Sequence, residues 1–112
     1  RFINEGWDVT GLDNLNDYYS TKLKLDRLET IMDSCRATKV KFDFIKADLN
    51  SDVWTDLSKQ KIDAIVHLAA QAGVRYSLQN PMAYLESNIL GFQKVLDYAK
   101  HQNIEKFRIW FK

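Results

Sequence analysis

Apolar positions along this chain of 112 residues follow two different periods, and the changes of period divide it into strands and helices. The strand period is found from Trp7 to Asp13, directly after Phe2 to Gly6, which has the composition of a last helical turn closed by glycine. Apolar runs of strand length recur from Val40 to Lys46, from Ile62 to Leu68 and from Phe107 to Phe111. We expect the third of these runs to be covered on both faces, as strands of parallel sheets are.

Between these runs the apolar residues recur every three or four positions, which predicts helices with one buried face. The first helix follows Ser20 as N-cap, and its apolar stripe consists of Leu25, Leu28, Ile31, Met32 and Cys35. A short helix is predicted from Val53 to Leu57, and Pro81 begins a long one that ends near His101. The stripe of the long helix consists of Leu85, Ile89, Phe92, Leu96 and Ala99. The alternation of strands and helices predicts an α/β fold, a doubly wound parallel sheet of the Rossmann type.

Composition limits the class of protein. The net charge is +1 and no basic stretch is interleaved with aromatic residues, so we expect no nucleic-acid partner. No window approaches the roughly 18 apolar residues of a membrane span, so we expect no membrane association. The single cysteine, Cys35, cannot form an internal disulfide, and it has no second thiol for a zinc site. We therefore expect a cytoplasmic location, a buried helical Cys35 and no metal site.

Polar side chains stand where the predicted strands end, and such sheets bind ligands at the carboxyl ends of their strands. Asp13 is where a dinucleotide-binding fold carries the acid that accepts hydrogen bonds from the adenosine ribose. This acid favours NAD over NADP, because it repels a 2′-phosphate and residues 14–16 offer no arginine. The alternative is a turn aspartate that caps its own backbone. Asp48, before Leu49, either faces the adenine or belongs to the cap of the next helix.

The loop after the third apolar run is Ala-Ala-Gln-Ala-Gly, so a flat ligand could lie against its backbone. Beyond this loop, Arg75 is either a ligand for a phosphate or carboxylate or an arginine of a surface loop. Asn88, on the long helix, either braces the strand-end loops or faces solvent. His67 is predicted to be a core histidine without a chemical role. Tyr18 and Lys22 have the spacing of a catalytic pair, which we interpret as a chance match.

Two segments carry a resemblance to a known family. The first runs from Gly11 to Tyr19, and the second from Ala69 to Ser77, continued by Asn80-Pro81 and by Ser87 to Gly91. They resemble the extended short-chain dehydrogenase/reductases, in particular the NAD-dependent epimerase/dehydratase family and its UDP-glucuronate 4-epimerase type. The resemblance implies that residues 1–112 are a partial NAD-binding Rossmann domain. The implied reaction inverts C4 of a nucleotide sugar, a UDP-hexuronate or UDP-hexose, through a transient keto sugar.

The same resemblance implies roles for individual residues. NAD would be contacted at its adenosine ribose by Asp13 and Asn14, at its adenine by Asp48 and Leu49, and at its ribose and nicotinamide side by Leu68, Ala69, Ala70, Gln71, Ala72 and Asn88. The nucleotide sugar would be contacted by Val74, Arg75 and Ser77. No catalytic residue is expected in this chain, because the family's tyrosine and lysine pair belongs to a later segment. The helix over residues 81–101 would form a homodimer in the complete protein.

The family pattern also predicts what this sequence lacks. The first strand with its glycine-rich phosphate turn and the C-terminal substrate domain are expected outside it, so the fold would be incomplete and the segment alone inactive. Because the first strand lies between the second and the fourth in the doubly wound order, the strands present should form two separate pairs. The alternatives are part of a nucleotide-sugar 4,6-dehydratase, or a non-catalytic interaction module that binds a partner through the long one-sided helix.

Overall fold

The strands of the protein form two parallel pairs. The structure, a computed structural model, describes residues 1–109, which divide into two compact units between Ala47 and Asp48. In the first unit β1 (Val9–Asp13) pairs with β2 (Phe42–Lys46), and in the second β3 (Ala64–His67) pairs with β4 (Lys106–Ile109). Parallel pairing and two separate pairs are both confirmed. The end of the predicted last strand, Trp110 to Phe111, lies outside the described residues.

The helices alternate with these strands. They are α1 (Thr21–Thr38), α2 (Val53–Leu57), α3 (Val74–Gln79), α4 (Pro81–Leu85) and α5 (Phe92–His101), with a π-helix (Glu86–Gly91) joining α4 to α5 and a short 3-10 turn at Ile3–Glu5. The predicted helix over 81–101 is therefore continuous, but its hydrogen-bond register changes in the middle. We predicted no helix at α3, which spans only six residues and is too short to carry a recognisable apolar period. No helix among residues 1–109 is both long and apolar enough to cross a bilayer.

The first unit packs α1 on a sheet of only two strands. Ser20 caps α1 as predicted, with its Oγ accepting a hydrogen bond from the Leu23 N–H at 3.3 Å. Cys35 is buried in this helix, also as predicted, but Leu25 and Met32 are 50% and 43% exposed. The prediction of a fully buried stripe is therefore wrong. A two-stranded sheet is too narrow to cover one face of an 18-residue helix along its whole length.

The second unit has a small core between its helices. Leu57, Val95, Tyr98 and Ala99 are buried there, and the Tyr98 hydroxyl donates to the Leu57 carbonyl at 3.0 Å. The ring of Trp54 lies 5.2 Å from that of Tyr98. The buried stripe of the long helix thus follows Gly91, Val95, Tyr98 and Ala99. The predicted stripe is largely wrong, because Leu85, Ile89 and Leu96 are exposed.

Strand β3 is covered on one face only. His67 is buried and Ile65 half-buried, whereas Val66 and Leu68 are 44% and 67% exposed. The prediction that this run is covered on both faces is therefore wrong for the described residues. Within its unit β3 pairs with β4 alone, and the burial alternates along the strand as it does in a sheet with one open face. The strand continues directly into the loop where ligand contacts are predicted.

His67 is a core residue, in agreement with the sequence prediction. Its ring stacks on Phe92 with 5.2 Å between centroids, and burial lowers the pKa of the imidazole below its usual value. The unfolded chain then binds the proton more readily than the folded one. The stability contribution of neutral His67 is complete above the unfolded pKa of about 6.5 and is lost as the pH falls through the folded pKa.

We therefore expect the free energy of unfolding to decline as the pH is lowered from neutral toward the acidic side of the histidine titration. Urea denaturation at a series of pH values measures this decline. His67→Phe retains an aromatic ring against Phe92 and should remove the histidine-dependent part of it. An identical decline in the variant and the wild type would contradict the assignment to His67.

Candidate functional site

The end of β1 carries a carboxylate held in a tight turn. Asp13 Oδ1 accepts a hydrogen bond from the Leu15 N–H at 2.6 Å, and Asn14 Oδ1 accepts one from the Asn16 N–H at 3.1 Å. Leu15 has a positive φ of 52°, so the backbone reverses sharply here. Asp13 therefore caps its own turn, as the alternative interpretation predicts. This cap does not displace the ligand hypothesis, because the Asp13 side chain is still 51% exposed.

A lysine that the sequence reasoning missed lies beside this carboxylate. Lys24 Nζ donates to the backbone oxygen of Asn16 at 3.0 Å and to its Oδ1 at 3.1 Å, and it lies 3.7 Å from Asp13 Oδ1. Only 20% of the Lys24 side chain is exposed. Residues 14–16 contain no cation, whereas the helix that follows supplies one. Its position four residues after the N-cap Ser20, in the first turn of α1, is the signal that would have found it.

The second unit begins with a turn that follows the end of β2. Asp48 Oδ1 accepts the Asn50 N–H at 2.9 Å, and the Asp48 carbonyl accepts the Ser51 hydroxyl at 2.6 Å. Leu49 is half-buried, and its carbonyl accepts the indole N–H of Trp54 at 2.7 Å. Asp48 therefore orders its own turn, but it does not cap α2, whose N-cap residue is Asp52. Its exposed carboxylate and the neighbouring leucine also form a surface of the kind that an adenine ring could contact.

The loop after β3 is exposed and rests on one asparagine. Leu68, Ala69, Ala70 and Ala72 are exposed, whereas Gln71 is half-buried. The Asn88 amide meets both backbone groups of Gln71: its Oδ1 accepts the Gln71 N–H at 2.7 Å, and its Nδ2 donates to the Gln71 carbonyl at 3.0 Å. Asn88 thus braces this loop and does not simply face solvent. A primary amide matches a peptide group in this way because it carries a donor and an acceptor side by side.

Asn88 owes its position to the π-helix. A π-helix turn is uncommon and is found most often at functional sites. Asn50 Nδ2 donates to the Glu86 carbonyl at 3.1 Å, so the turn after β2 touches the start of this element. At its other end, a Cβ on Gly91 would lie 3.2 Å from the Glu86 carbonyl oxygen and 3.2 Å from Leu49 Cβ. The π-helix therefore connects the Leu49 turn to the Gln71 loop within the second unit.

Replacing Gly91 by valine is expected to lower the free energy of unfolding by about 1–3 kcal/mol, the range for overpacking a well-packed site. The new side chain meets a backbone oxygen that cannot rotate away and a leucine held by the Leu49 turn. Urea denaturation measures the loss. Lys94→Val is the matched control, because it places the same β-branched residue at an exposed position of α5 and should change stability by about 0.5 kcal/mol or less. Equal losses in the two variants would contradict the close packing at Gly91.

The predicted nucleotide-sugar residues begin α3. Val74 and Arg75 are exposed in its first turn, Val74 at 83%, while the Ser77 hydroxyl donates to the Val74 carbonyl at 2.6 Å. Arg75 is therefore a helical arginine and not a loop arginine. The N-cap Gly73 has a φ of 97°, a conformation that favours glycine. The side chain of Tyr84, which the sequence reasoning did not single out, contacts the carbonyls before this helix. Its spacing of four residues from Asn88 is the signal that was overlooked.

The spacing of Tyr18 and Lys22 has no catalytic counterpart in the geometry. Lys22 Nζ forms an exposed ion pair with Asp26 at 2.8 Å, and Tyr18 packs edge-on against Tyr19 with 4.7 Å between centroids. Among residues 1–109 no group of three or more His, Cys, Asp or Glu side chains is placed to hold a metal ion.

Comparison with known proteins places these features in context. The family profile described as GDP-mannose 4,6 dehydratase matches residues 1–111. Protein CapI of Staphylococcus aureus is 45% identical over 109 residues, which cover 94% of this chain and 30% of that protein. The UDP-glucuronate 4-epimerase of Thermodesulfobacterium geofontis is 39% identical, with 93% of this chain and 31% of that protein covered.

A solved structure extends the comparison. UDP-glucuronic acid 4-epimerase from Bacillus cereus, in complex with UDP-glucuronic acid and NAD, superposes with a TM-score of 0.77 at 30% identity. The superposition covers 96% of this chain and 33% of that one. The chain therefore spans about a third of the length of the proteins that it matches.

Proposed function

Because this chain belongs to the protein family described as GDP-mannose 4,6 dehydratase, we propose that it forms the NAD-binding part of a UDP-sugar 4-epimerase that acts on a UDP-hexuronate. The observation that carries the proposal is the exposed loop from Leu68 to Ala72, which follows β3 directly and is braced at Gln71 by Asn88. An exposed loop of small residues with a fixed backbone is what a flat dinucleotide requires at the carboxyl end of a parallel strand.

The residues present fit NAD chemically. Asp13 offers a half-exposed carboxylate at the end of β1, where it can accept hydrogen bonds from ribose hydroxyls, and Asn14 follows it. Asp48 and Leu49 offer a carboxylate and an apolar side chain for the adenine. Exposed Leu68, Ala69, Ala70 and Ala72 offer an apolar surface for the nicotinamide side, beside the amides of Gln71 and Asn88. These assignments are the ones that the family resemblance implies, and they form part of the proposal.

The sugar-nucleotide contacts are those that the resemblance implies, and the charge of Arg75 supports them. Arg75 is exposed at the start of α3 and can pair with a phosphate or with a hexuronate carboxylate, next to the exposed Val74. The Ser77 hydroxyl is bonded within its own helix, so of the predicted substrate residues it is the least available. When bound, NAD supplies the hydride acceptor and donor for a reversible oxidation at C4 of the sugar. The residues of this chain bind and orient the two nucleotides.

The test uses the complete natural polypeptide that contains this sequence. Incubated with UDP-glucuronate, it should yield the C4 epimer, separated by chromatography, and denaturation of the purified protein should release NAD. A product that has lost water would instead establish a 4,6-dehydratase, the reaction that the family description names. If neither product forms, the third alternative remains, which is a non-catalytic interaction module.

The proposal extends to a partner, a second copy of the protein. The outer face of the helix over 81–101 is apolar and exposed at Met82, Leu85, Ile89, Leu90 and Leu96. Such a helix face in water is stabilised by burial against another apolar surface. Sedimentation of the complete natural polypeptide tests the homodimer, and a monomer at all concentrations would contradict it. A cytoplasmic location, based on the free buried thiol of Cys35, also belongs to the proposal.

A further inference from the structure

The hydroxyl of Tyr84 lies at a point where two successive carbonyls converge. It donates to the Ala72 oxygen at 2.8 Å and is also in hydrogen-bond contact with the Gly73 oxygen. Two carbonyl oxygens carry like partial charges and repel one another, so their approach to one point requires a donor between them. A neutral phenol carries one proton, which the two oxygens share. The Gln71 side chain also donates to the Ala72 oxygen, at a longer distance of 3.3 Å.

The backbone at this point favours glycine. Gly73 has φ 97° and ψ 103°, a region that residues with a Cβ rarely adopt. A glycine in that region is free to leave it, because other conformations are equally open to it. The loop therefore needs an external contact to keep this one conformation. The Tyr84 hydroxyl supplies such a contact on the carbonyl of Gly73 itself and on that of the residue before it.

Tyr84 and Asn88 act on adjoining parts of the same loop. They are four residues apart, which places their side chains on one side of the helix. Asn88 holds the peptide groups of Gln71, and Tyr84 holds the carbonyls of Ala72 and Gly73. The Tyr84 ring also lies 6.2 Å from that of Tyr76, on α3. The loop is thus held over three successive residues, directly before the helix that carries Val74 and Arg75.

We propose that Tyr84 is a positioning residue: its hydroxyl selects the backbone conformation in which the Gln71–Gly73 loop receives the nicotinamide side of NAD and presents Arg75 to the sugar nucleotide. This inference rests on the proposed function. In this proposal the phenol acts through the loop, because its hydroxyl is bonded to the Ala72 and Gly73 carbonyls. Removing the hydroxyl should therefore loosen the loop locally without unfolding the unit.

Tyr84→Phe in the complete natural polypeptide tests the proposal, with Tyr98→Phe as the matched control. Each change removes a hydroxyl that donates to a backbone carbonyl in the second unit, but that of Tyr98 lies in the core, on Leu57. The readouts are hydrogen exchange of peptides covering residues 69–77, the rate of tryptic cleavage after Arg75, the dissociation constant for NAD, and the urea midpoint. The first two report the loop without any ligand.

We expect Tyr84→Phe to accelerate loop exchange and cleavage after Arg75 by about 3- to 10-fold, the effect of one neutral hydrogen bond, and to weaken NAD binding to a similar degree. Tyr98→Phe should lower the urea midpoint and leave loop exchange and NAD affinity unchanged. Gly73→Ala provides a second route, because the added Cβ strains the same conformation at φ 97°. Gly73→Ala should also accelerate loop exchange and cleavage after Arg75, and this test does not depend on whether Tyr84→Phe folds well.

Two outcomes would overturn the proposal. If hydrogen exchange of the loop in Tyr84→Phe equals that of the wild type, the hydroxyl does not select the loop conformation. If Tyr98→Phe accelerates loop exchange as much as Tyr84→Phe does, the effect is a general loss of stability. Failure of the proposed function looks different: the wild type would bind no NAD, while the exchange difference between Tyr84→Phe and Tyr98→Phe would still decide the role of the hydroxyl in the loop.

Discussion

Replacing Asn88 by leucine is expected to lower the free energy of unfolding by about 2–4 kcal/mol, because it removes two hydrogen bonds and leaves both partners facing an apolar side chain. The partners are the N–H and the carbonyl of Gln71, at 2.7 Å and 3.0 Å from the Asn88 amide. Both contacts are partly shielded from water, so the solvent cannot fully replace them. Urea denaturation of the complete natural polypeptide measures the loss.

Two further variants make this result specific. Gln93→Leu exchanges another amide for leucine on α5, where the Gln93 side chain bonds to the exposed Asp97, and it should change stability by about 0.5 kcal/mol or less. Asn88→Asp keeps the acceptor for the Gln71 N–H but loses the donor to the Gln71 carbonyl. Its stability should lie between those of the wild type and Asn88→Leu. If Asn88→Leu were no less stable than Gln93→Leu, the bridge would contribute nothing.

Asp13→Ala is expected to weaken NAD binding by about 10- to 100-fold, the effect of losing hydrogen bonds to a charged acceptor. Titration with NAD, followed by the quenching of tryptophan fluorescence, measures the change. Asp26→Asn is the charge-matched control, because Asp26 pairs with Lys22 on the exposed side of α1. Its affinity for NAD should equal that of the wild type. An unaltered dissociation constant in Asp13→Ala would exclude Asp13 from the ribose site.

Asp13→Asn separates the charge from the turn. An asparagine retains an oxygen for the Leu15 N–H, which Asp13 Oδ1 accepts at 2.6 Å, but it no longer offsets the charge of Lys24, 3.7 Å away. We expect it to weaken NAD binding less than Asp13→Ala does and to narrow the preference for NAD over NADP, since a cation then faces the 2′-phosphate without an opposing carboxylate. A second change, Lys24→Met, should restore the preference.

The helices and strands with a regular spacing of apolar residues were predictable from the sequence. The elements that depend on individual tertiary contacts were not. β1 and α1 follow from alternation and from the Ser20 cap, and the two separate strand pairs follow from the order of the fold. Burial was predicted less well. Leu25 and Val66 are exposed because a two-stranded sheet covers less surface than the complete sheet that their apolar character anticipates.

The positions of several candidate-site residues were predictable from the sequence, but the hydrogen bonds that connect them were not. The sequence indicated Asp13, Asn88 and the small loop after β3, because strand ends and polar residues within apolar stretches are visible in a single chain. Lys24 and Tyr84 were missed, because each acts on the backbone or on a side chain of a different element. Such contacts depend on the path of the chain in space. Spacing alone cannot supply that path.

The π-helix from Glu86 to Gly91 has a consequence for comparing this chain with other members of its family. A π-turn contains one more residue than the α-turn that it replaces. A relative with a single deletion between residues 86 and 91 would have an α-turn in place of the π-turn, and α4 and α5 would keep their orientations about the helix axis. Val95 would then keep its place in the core, whereas the residues of the turn itself, Asn88 among them, would be displaced relative to the Gln71 loop. An alignment gap of one residue in this helix would therefore mark a changed support for that loop, although by length it is the smallest difference that two sequences can show.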